Sequence, residues 1–444
     1  MLFLGLILSI FLFWQPSVLA SVLPRALAII PSIDAKDDFS ELFQLIKQKR
    51  IDLVIEPSSS KNLKLYSHDE NLYQHVLLLC PECKKYGSGL NVESFVKFVE
   101  NGGNIVFVGD SGLSRLNSRL ASEFGVKFEE PDTFVADYSN SYPGSDLKNT
   151  ILASNLASNK HILPGHALNP KNSLVYYKGI AHSINSKNYL VSPLVSGSPT
   201  TISIKKQSLE DLTKASPSQV LSGSNLQLVS VFQSLNNARA TFIGSTDMMK
   251  NKFFHISDSL QEPGDYRNKA FIDDLLGWVF QQRGVLKYSK PVIFKTSNNV
   301  SLESYQIRDE ILYSIEISEF FDGKWVPFDA DDVQLEIRML DPYIRTTLDR
   351  QTQPDSEYAT FSKKIVLPDK YGVFKFLLEH RRQGITWLEV TEVIPIHPLR
   401  HNQFPRFLSQ AYPYYATSFL LLSGFIIIST LWLFSPTFKQ SINI

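Results

Sequence analysis

The chain has 444 residues, 43% of them hydrophobic, so it is too long for one ordinary domain and carries apolar material for more than one core. Its 44 basic and 44 acidic residues cancel, which argues against a nucleic-acid partner and leaves no charge run to act as a tail. Only two cysteines occur, Cys80 and Cys83, so the fold rests on burial and not on a disulfide framework.

Both ends carry membrane signals. Residues 2–14 are an almost unbroken apolar run, followed by Gln15, Pro16 and Ser17 and then by small residues at Val18-Leu19-Ala20. This predicts a signal peptide over residues 1–20, cleaved before Ser21, although the basic segment that usually opens one is missing. Residues 416–434 form an uncharged stretch close to the roughly twenty residues that cross a bilayer as a helix. Tyr412, Tyr414 and Tyr415 stand at its start and Trp432 and Phe434 at its end, where aromatic rings prefer the interface. Arg400 and Arg406 precede the span and Lys439 follows it, so loop charge does not set the orientation. The cleaved signal sets it instead, with the body on the lumenal side, a juxtamembrane stretch at 398–415 and a cytosolic tail at 435–444. Ala416, Ser423 and Thr430 recur every seven residues with Thr417 and Gly424 beside them, a stripe of small side chains suited to helix packing in lipid.

Between these ends, residues 26–30, 51–55, 75–79 and 105–108 read as short buried strands. They alternate with helix faces at Phe39, Leu42, Phe43 and Ile46, at Phe95, Val96 and Val99, and over 113–124. That pattern predicts a parallel sheet covered on both faces, of glutamine-amidotransferase or flavodoxin-like type, within an α/β region at 21–284. Residues 131–233 are richer in Ser, Asn, Gly and Pro and read as a loop-rich, mostly β insertion. Residues 240–244 and a helix over 268–282 then restore the α/β style and return the chain to the first sheet. From 285 to 397 the strands are short and alternating, as in a β-sandwich.

Candidate chemistry is sparse. Cys80-Pro81-Glu82-Cys83 has redox spacing, but 84–89 reads as a loop in place of the helix such a motif caps. A local disulfide or a pair of ordinary thiols fits better. Cys80 also stands where a nucleophile elbow would, yet Leu79 and Pro81 flank it where glycines belong. Gly109-Asp110-Ser111-Gly112 lacks phosphate-loop spacing and reads as a capped turn. Asp329-Ala330-Asp331-Asp332 resembles a metal-holding DxD arrangement, but it lies between presumed sandwich strands, where acids commonly make turns. Trp325, which could stack on a sugar, is placed in the sandwich core by its neighbours Pro327 and Phe328. Asn299-Val300-Ser301 is an N-glycosylation sequon in a polar stretch. No catalytic, cofactor-binding or metal residue is assigned.

Several segments resemble one family over nearly the whole chain. They are Gly89-Leu90-Asn91-Val92-Glu93 with Gly102-Gly103-Asn104, Asn237-Ala238-Arg239, and Gly323-Lys324-Trp325-Val326-Pro327-Phe328-Asp329 followed by 331–336. Asp341-Pro342-Tyr343-Ile344-Arg345-Thr346, Tyr371-Gly372-Val373-Phe374 and Ala411-Tyr412-Pro413-Tyr414-Tyr415-Ala416 complete the set. The chain thereby resembles the 48-kilodalton subunit of dolichyl-diphosphooligosaccharide–protein glycosyltransferase, including its fungal wheat-germ-agglutinin-binding form. The resemblance implies a non-catalytic subunit of the oligosaccharyltransferase complex in the endoplasmic reticulum membrane. It also implies other subunits as partners, among them a multispanning one that carries the chemistry. Some relatives end in a dilysine retrieval signal, whereas this chain ends Lys439-Gln440-Ser441-Ile442-Asn443-Ile444, so retention through partners is expected. A lumenal amidotransferase-like or sugar-nucleotide enzyme and a cell-surface adhesion receptor are the alternatives.

Overall fold

A computed structural model describes residues 23–68, 70–142, 149–168, 173–205, 221–259, 267–297, 300–352, 356–404 and 408–435. The expected signal peptide, Asn299 and the tail beyond Ser435 lie outside the described residues.

The first half is mixed α/β, built on a nine-stranded sheet. Five strands run parallel in the order Asp52–Pro57, Arg25–Ile30, His75–Leu78, Asn104–Val108 and Arg239–Ile243. The last four are largely apolar because both faces are covered, whereas Asp52–Pro57 at the sheet edge is only half-buried. Along Arg25–Ile30 the side chains alternate between two cores. Ala26, Ala28 and Ile30 pack with Leu42, Phe43 and Ile46 of the Ser40–Gln48 helix and with Phe271 and Leu275 of the Asn268–Val279 helix. Leu27 and Ile29 pack on the other face with Phe95 and Phe98 of the Val92–Glu100 helix and Leu120 of the Arg115–Glu123 helix. The Val92–Glu100 helix starts at a capping box between Asn91 and Ser94. It stops at Gly102, whose φ of +86° suits glycine.

The parallel expectation holds for those five strands and fails for the rest of the sheet. Gln227–Gln233 pairs antiparallel with Arg239–Ile243, and His182–Ile184, Val126–Phe128 and Val191–Ser196 extend the sheet antiparallel beyond it. Part of the loop-rich segment therefore belongs to the main sheet. Its polar residues are buried in pairs: His182 and Ser230 meet through Nε2 and Oγ at 2.5 Å, and Ser196 Oγ donates to Gln227 Oε1 at 2.6 Å. The return of the chain to the first sheet at 239–243 occurs as expected.

Asp137 organises the rest of this segment. Its carboxylate, 1% exposed, accepts from Ser198 Oγ at 2.5 Å, Thr200 Oγ1 at 2.8 Å, Thr201 Oγ1 at 3.1 Å, and the backbone N–H groups of Ser139 and Asn140 at 2.9 and 3.1 Å. One charged side chain thus ties two loops that carry little apolar surface.

The second half is all-β. A six-stranded sheet centres on Glu310–Phe321, flanked by Arg283–Tyr288, Val292–Lys295, Lys324–Pro327, Ala359–Val366 and Asp349–Thr352. A five-stranded sheet runs Tyr305–Gln306, Leu388–His397, Gly372–His380, Gln334–Arg338 and Pro342–Thr347. Alternate residues of both sheets enter one cluster: Ile311, Tyr313, Ile315 and Ile317 from the first, and Leu335, Ile337, Phe374 and Phe376 from the second. A final helix, Leu408–Phe434, begins eight residues before the expected span. Pro413 lies inside it, and a proline that close to a helix start removes one backbone bond without ending the helix.

Burial alone would raise the Asp137 carboxyl, but the bonds from Ser198, Asn140, Thr200 and Ser139 bring it down from 3.8 to about 2. A carboxyl lowered on folding contributes stability that is fully present above its unfolded value and is lost as pH falls through its folded one. The Asp137 share of stability should therefore disappear between pH 3.8 and about 2. Thermal melts across this range should show Asp137→Asn to be less stable than wild type at neutral pH, with the difference shrinking as pH approaches 2. A difference that stays constant would contradict the assignment.

Candidate functional site: the carboxyl edge of the sheet and the seam between the two regions

In open α/β sheets ligands bind beyond the carboxyl ends of the parallel strands, and two of the sequence candidates stand there. Cys80 follows the His75–Leu78 strand and is joined to Cys83 by a disulfide. Asn117 holds the motif in place, donating to the carbonyls of Cys80 and Pro81 at 2.9 Å each and accepting from Tyr86 Oη at 2.8 Å. Ser114 Oγ donates to the Cys83 carbonyl at 2.8 Å. This is a structural staple, one of the two readings the residues allowed, and neither sulfur is a thiolate.

Gly109-Asp110-Ser111-Gly112 is also consumed by structure. Asp110 accepts from the Ser111 N–H at 2.7 Å and from Thr246 Oγ1, and Gly112 faces Glu82, whose carboxylate would repel a phosphate. Beside it Asp247 binds Lys250 at 2.9 Å and Lys178 at 3.4 Å. Burial works against the Lys250 cation, but the bond to Asp247 and the charges of Asp247, Asp110 and Asp38 hold its pKa above the ordinary lysine value. The carboxyl edge is thus a charge-matched knot.

The acidic cluster cross-links. Asp329 accepts from Lys160 Nζ at 3.0 Å and pairs with Arg350, and Asp332 pairs with Arg382 at 2.6 Å. Bonding from Lys160 leads the effects that lower the Asp329 carboxyl, with Arg350 adding to it. Trp325 is not in the core. It is half-buried on the outer surface, 5.1 Å from the Phe320 ring and with Lys287 Nζ 5.6 Å from its centroid, while Phe328 takes the core position at 1% exposure. Trp325 lies on an edge hairpin strand, where the alternation carries one side chain outward and leaves the next inward.

The small residues of the final helix lie on its surface. Thr417 Oγ1 donates to the Tyr414 carbonyl, Ser423 Oγ to that of Phe419 and Thr430 Oγ1 to that of Ile426, at 2.8–2.9 Å. Their hydroxyls are satisfied within the helix, and Ala416 and Gly424 add no bulk. Among the described residues, nothing packs within 4 Å of the place a Gly424 Cβ would take.

The residues that composition and spacing did not single out form the seam. Arg239, 0% exposed, opens the fifth parallel strand and donates through Nη1 to the carbonyls of Trp278 and Arg283 at 2.7 and 2.6 Å, and through Nη2 to that of Gly284 at 2.7 Å. Its guanidinium lies 4.9 Å from the Trp278 ring centroid. Burial pulls this group down to about 9, with Glu319 opposing, so it stays cationic at neutral pH. Trp278 Nε1 in turn donates to the Gly384 carbonyl at 2.8 Å, and Gln233 Nε2 to that of Ile385 at 2.6 Å. The Trp387 N–H donates to Asn237 Oδ1 at 2.7 Å. Gly284 has φ of +64°, and a Cβ there would meet the Gly384 carbonyl oxygen at 2.2 Å, so both conformation and space require glycine. Arg283 bridges Asp274 at 2.5 Å and Asp322 at 2.6 Å, and His161 meets Glu319 at 2.7 Å. The seam sits at the amino ends of the parallel strands. There Asn104 Oδ1 accepts the Arg239 N–H at 2.8 Å, so two of the segments that carry the resemblance, 102–104 and 237–239, touch.

The two regions and their seam coincide with two family models. One, described as OST48, N-terminal domain, matches residues 18–282, and one described as OST48 middle domain matches residues 294–436. The chain belongs to the OST48 family. Relatives support this over at least nine-tenths of the chain. A dolichyl-diphosphooligosaccharide–protein glycosyltransferase 48 kDa subunit of Arabidopsis thaliana is 30% identical over 418 residues, 92% of each chain. One of the same name from Caenorhabditis elegans is 30% identical over 439 residues, 95% of each. The dolichyl-diphosphooligosaccharide–protein glycosyltransferase subunit wbp1 of Schizosaccharomyces pombe is 33% identical over 409 residues, 90% of each. The gap between the two OST48 matches holds Arg283 and Gly284, the pivot of the seam.

Arg239→Met would remove three hydrogen bonds from a charged donor, each worth about 1.5–3 kcal/mol, although the Trp278 and Gly284 carbonyls keep the N–H groups of Gln281 and Thr386. Calorimetry of the detergent-solubilised chain should then show a loss of at least ~3 kcal/mol and separation of one transition into two. Arg239→Lys should not rescue it, since an ammonium cannot reproduce the planar fork. An unshifted single transition would refute this role.

Proposed function

We propose that this chain is a non-catalytic subunit of the oligosaccharyltransferase complex, supporting transfer of a lipid-linked oligosaccharide to asparagine in N-x-S/T sequons of nascent proteins. The observation that carries the reading is likeness over at least nine-tenths of the chain to relatives named as subunits of dolichyl-diphosphooligosaccharide–protein glycosyltransferase. The state of the candidate residues supports the non-catalytic part. Cys80 is bonded to Cys83, and Asp110, Asp329 and Asp332 each hold a structural partner. An amidotransferase-like enzyme would need the Cys80 thiol, so that alternative loses its nucleophile.

In this reading the protein is single-pass and type I in the endoplasmic reticulum membrane, with its bulk in the lumen. Residues 21–284 form an α/β domain of glutamine-amidotransferase or flavodoxin-like type and 285–397 a sandwich. The Ser409–Phe434 helix, 26 residues long with an apolar window of mean hydropathy 2.0, none of it buried, supports the span. The two cores on opposite faces of the parallel strands support the first domain type, and the single core shared by two sheets supports the second.

Affinity purification of the full chain in mild detergent should recover other subunits, including a multispanning one. The purified chain alone should not turn over a lipid-linked donor. Turnover by the isolated chain would sink the non-catalytic reading, and a clean preparation without membrane partners would sink the complex itself. In the span, Gly424→Leu and Ser423→Leu should weaken that recovery while Ile427→Leu should not, because close approach in lipid depends on small residues. Equal recovery from all three would place assembly in the lumenal domains.

A further inference from the structure

We propose that the end of the β region from which the chain departs for the helix is a lipid-contacting foot that rests on the membrane surface. Pairing in the five-stranded sheet brings four chain segments to this one end. Gly372 pairs with Ile396 and Val373 with Pro395, so the start of one strand lies beside the end of the last. Arg338 pairs with Lys375, and Met339 Sδ closes on Gly372, which places the 339–341 turn at the same end. The Tyr343 ring meets Phe374 edge-on at 5.4 Å.

Large apolar side chains at this end are uncovered, beside the charged Asp341, Asp369 and Lys370. Leu340 is 90% exposed, Tyr371 68%, Val373 58% and Phe404 52%, with Met339 and Tyr343 partly exposed beside them. Lys370 and Arg400 neighbour them in sequence. Tyrosines, aliphatic tips and cations together suit the headgroup layer, where amphipathic rings and basic side chains both find partners. The opposite end of the same sheet carries the 383–387 loop and is clamped to the α/β region, so among the described residues this end is the open one.

The occupant follows from the tether. Gln306 Nε2 donates to Gln403 Oε1 at 2.9 Å, and Gln403 exchanges bonds with the Arg400 backbone at 2.9 Å each way, which fixes the departing chain against this end. Five residue steps separate Gln403 from Leu408, a reach of at most ~18 Å. From Leu408 the helix rises about 1.5 Å per residue to Tyr412, Tyr414 and Tyr415 at the expected interface. Any bilayer holding this helix therefore lies within a short reach of the exposed patch.

The inference rests on Ser409–Phe434 spanning the membrane, and the experiment separates the two. Full-length chains carrying Leu340→Cys, Tyr371→Cys, Glu389→Cys or Ile427→Cys are labelled with a fluorophore, Cys80 and Cys83 being occupied by their disulfide. Each is reconstituted in phosphatidylcholine vesicles containing a headgroup-nitroxide or acyl-chain-nitroxide lipid. The acyl-chain quencher should reach the 427 label, which reports the span. The headgroup quencher should reduce the 340 and 371 labels at least about twofold more than the 389 label at the clamped end. An unquenched 427 label would overturn the span and the foot together. A quenched 427 label with 340 and 371 no different from 389 would overturn the foot alone. Shielding of 340 and 371 from both lipid-borne and water-soluble quenchers, seen only in the purified complex, would assign the patch to a protein partner and overturn it as well.

Discussion

A buried cation must find acceptors, and Arg239 takes them from the peptide backbone at the point where an α/β region becomes a β region. Its fork fixes the end of the Asn268–Val279 helix and the first two residues of the next strand. That geometry aims Trp278 at the 384 carbonyl and sets Gly284 against the same loop. Once those carbonyls are held, the 383–387 loop has a single seat, and the β region is positioned by it. The Arg283 bridge between Asp274 and Asp322 repeats the device nearer the surface. Its bonds to the two carboxylates outweigh burial and hold the guanidinium above the ordinary arginine range.

Much of the α/β architecture was legible because strands buried on both faces are written as apolar runs. Residues 26–30, 75–78 and 105–108 are such runs, and each lies in the parallel part of the sheet. The antiparallel additions were not legible. His182, Ser230, Gln227 and Gln233 look like surface residues until they are seen to satisfy one another or a distant backbone carbonyl. Arg239 was hidden for the same reason, since an arginine reads as solvated wherever its acceptors are remote in sequence. The only hint was its place in Asn237-Ala238-Arg239, a segment noted for resemblance and not for chemistry. Trp325 failed in the other direction: its neighbour Phe328 entered the core, and a short edge strand left the indole outside.

The candidate positions share a pattern. Cysteine pair, glycine-flanked aspartate and acidic cluster each stand where an enzyme of similar architecture would place reactive groups, and each is engaged in holding loops. The carboxyl edge of the parallel strands is locked by Asp110, Thr246, Asp247 and Lys250, while the amino edge, which seldom carries ligands, receives another region of the chain. A scaffold with one edge locked and the other docked presents fixed outer surfaces.

The seam also sets an order in time. Trp278 waits for an acceptor 106 residues later in the chain, and Gln233 for one 152 residues later. A chain that emerges from its amino terminus can complete the two cores of the α/β region well before the 383–387 loop exists, leaving the indole and the glutamine amide open to water in the interval. Contacts of such long separation close slowly. The β region is then the last piece to lock, once its 383–387 loop has been made.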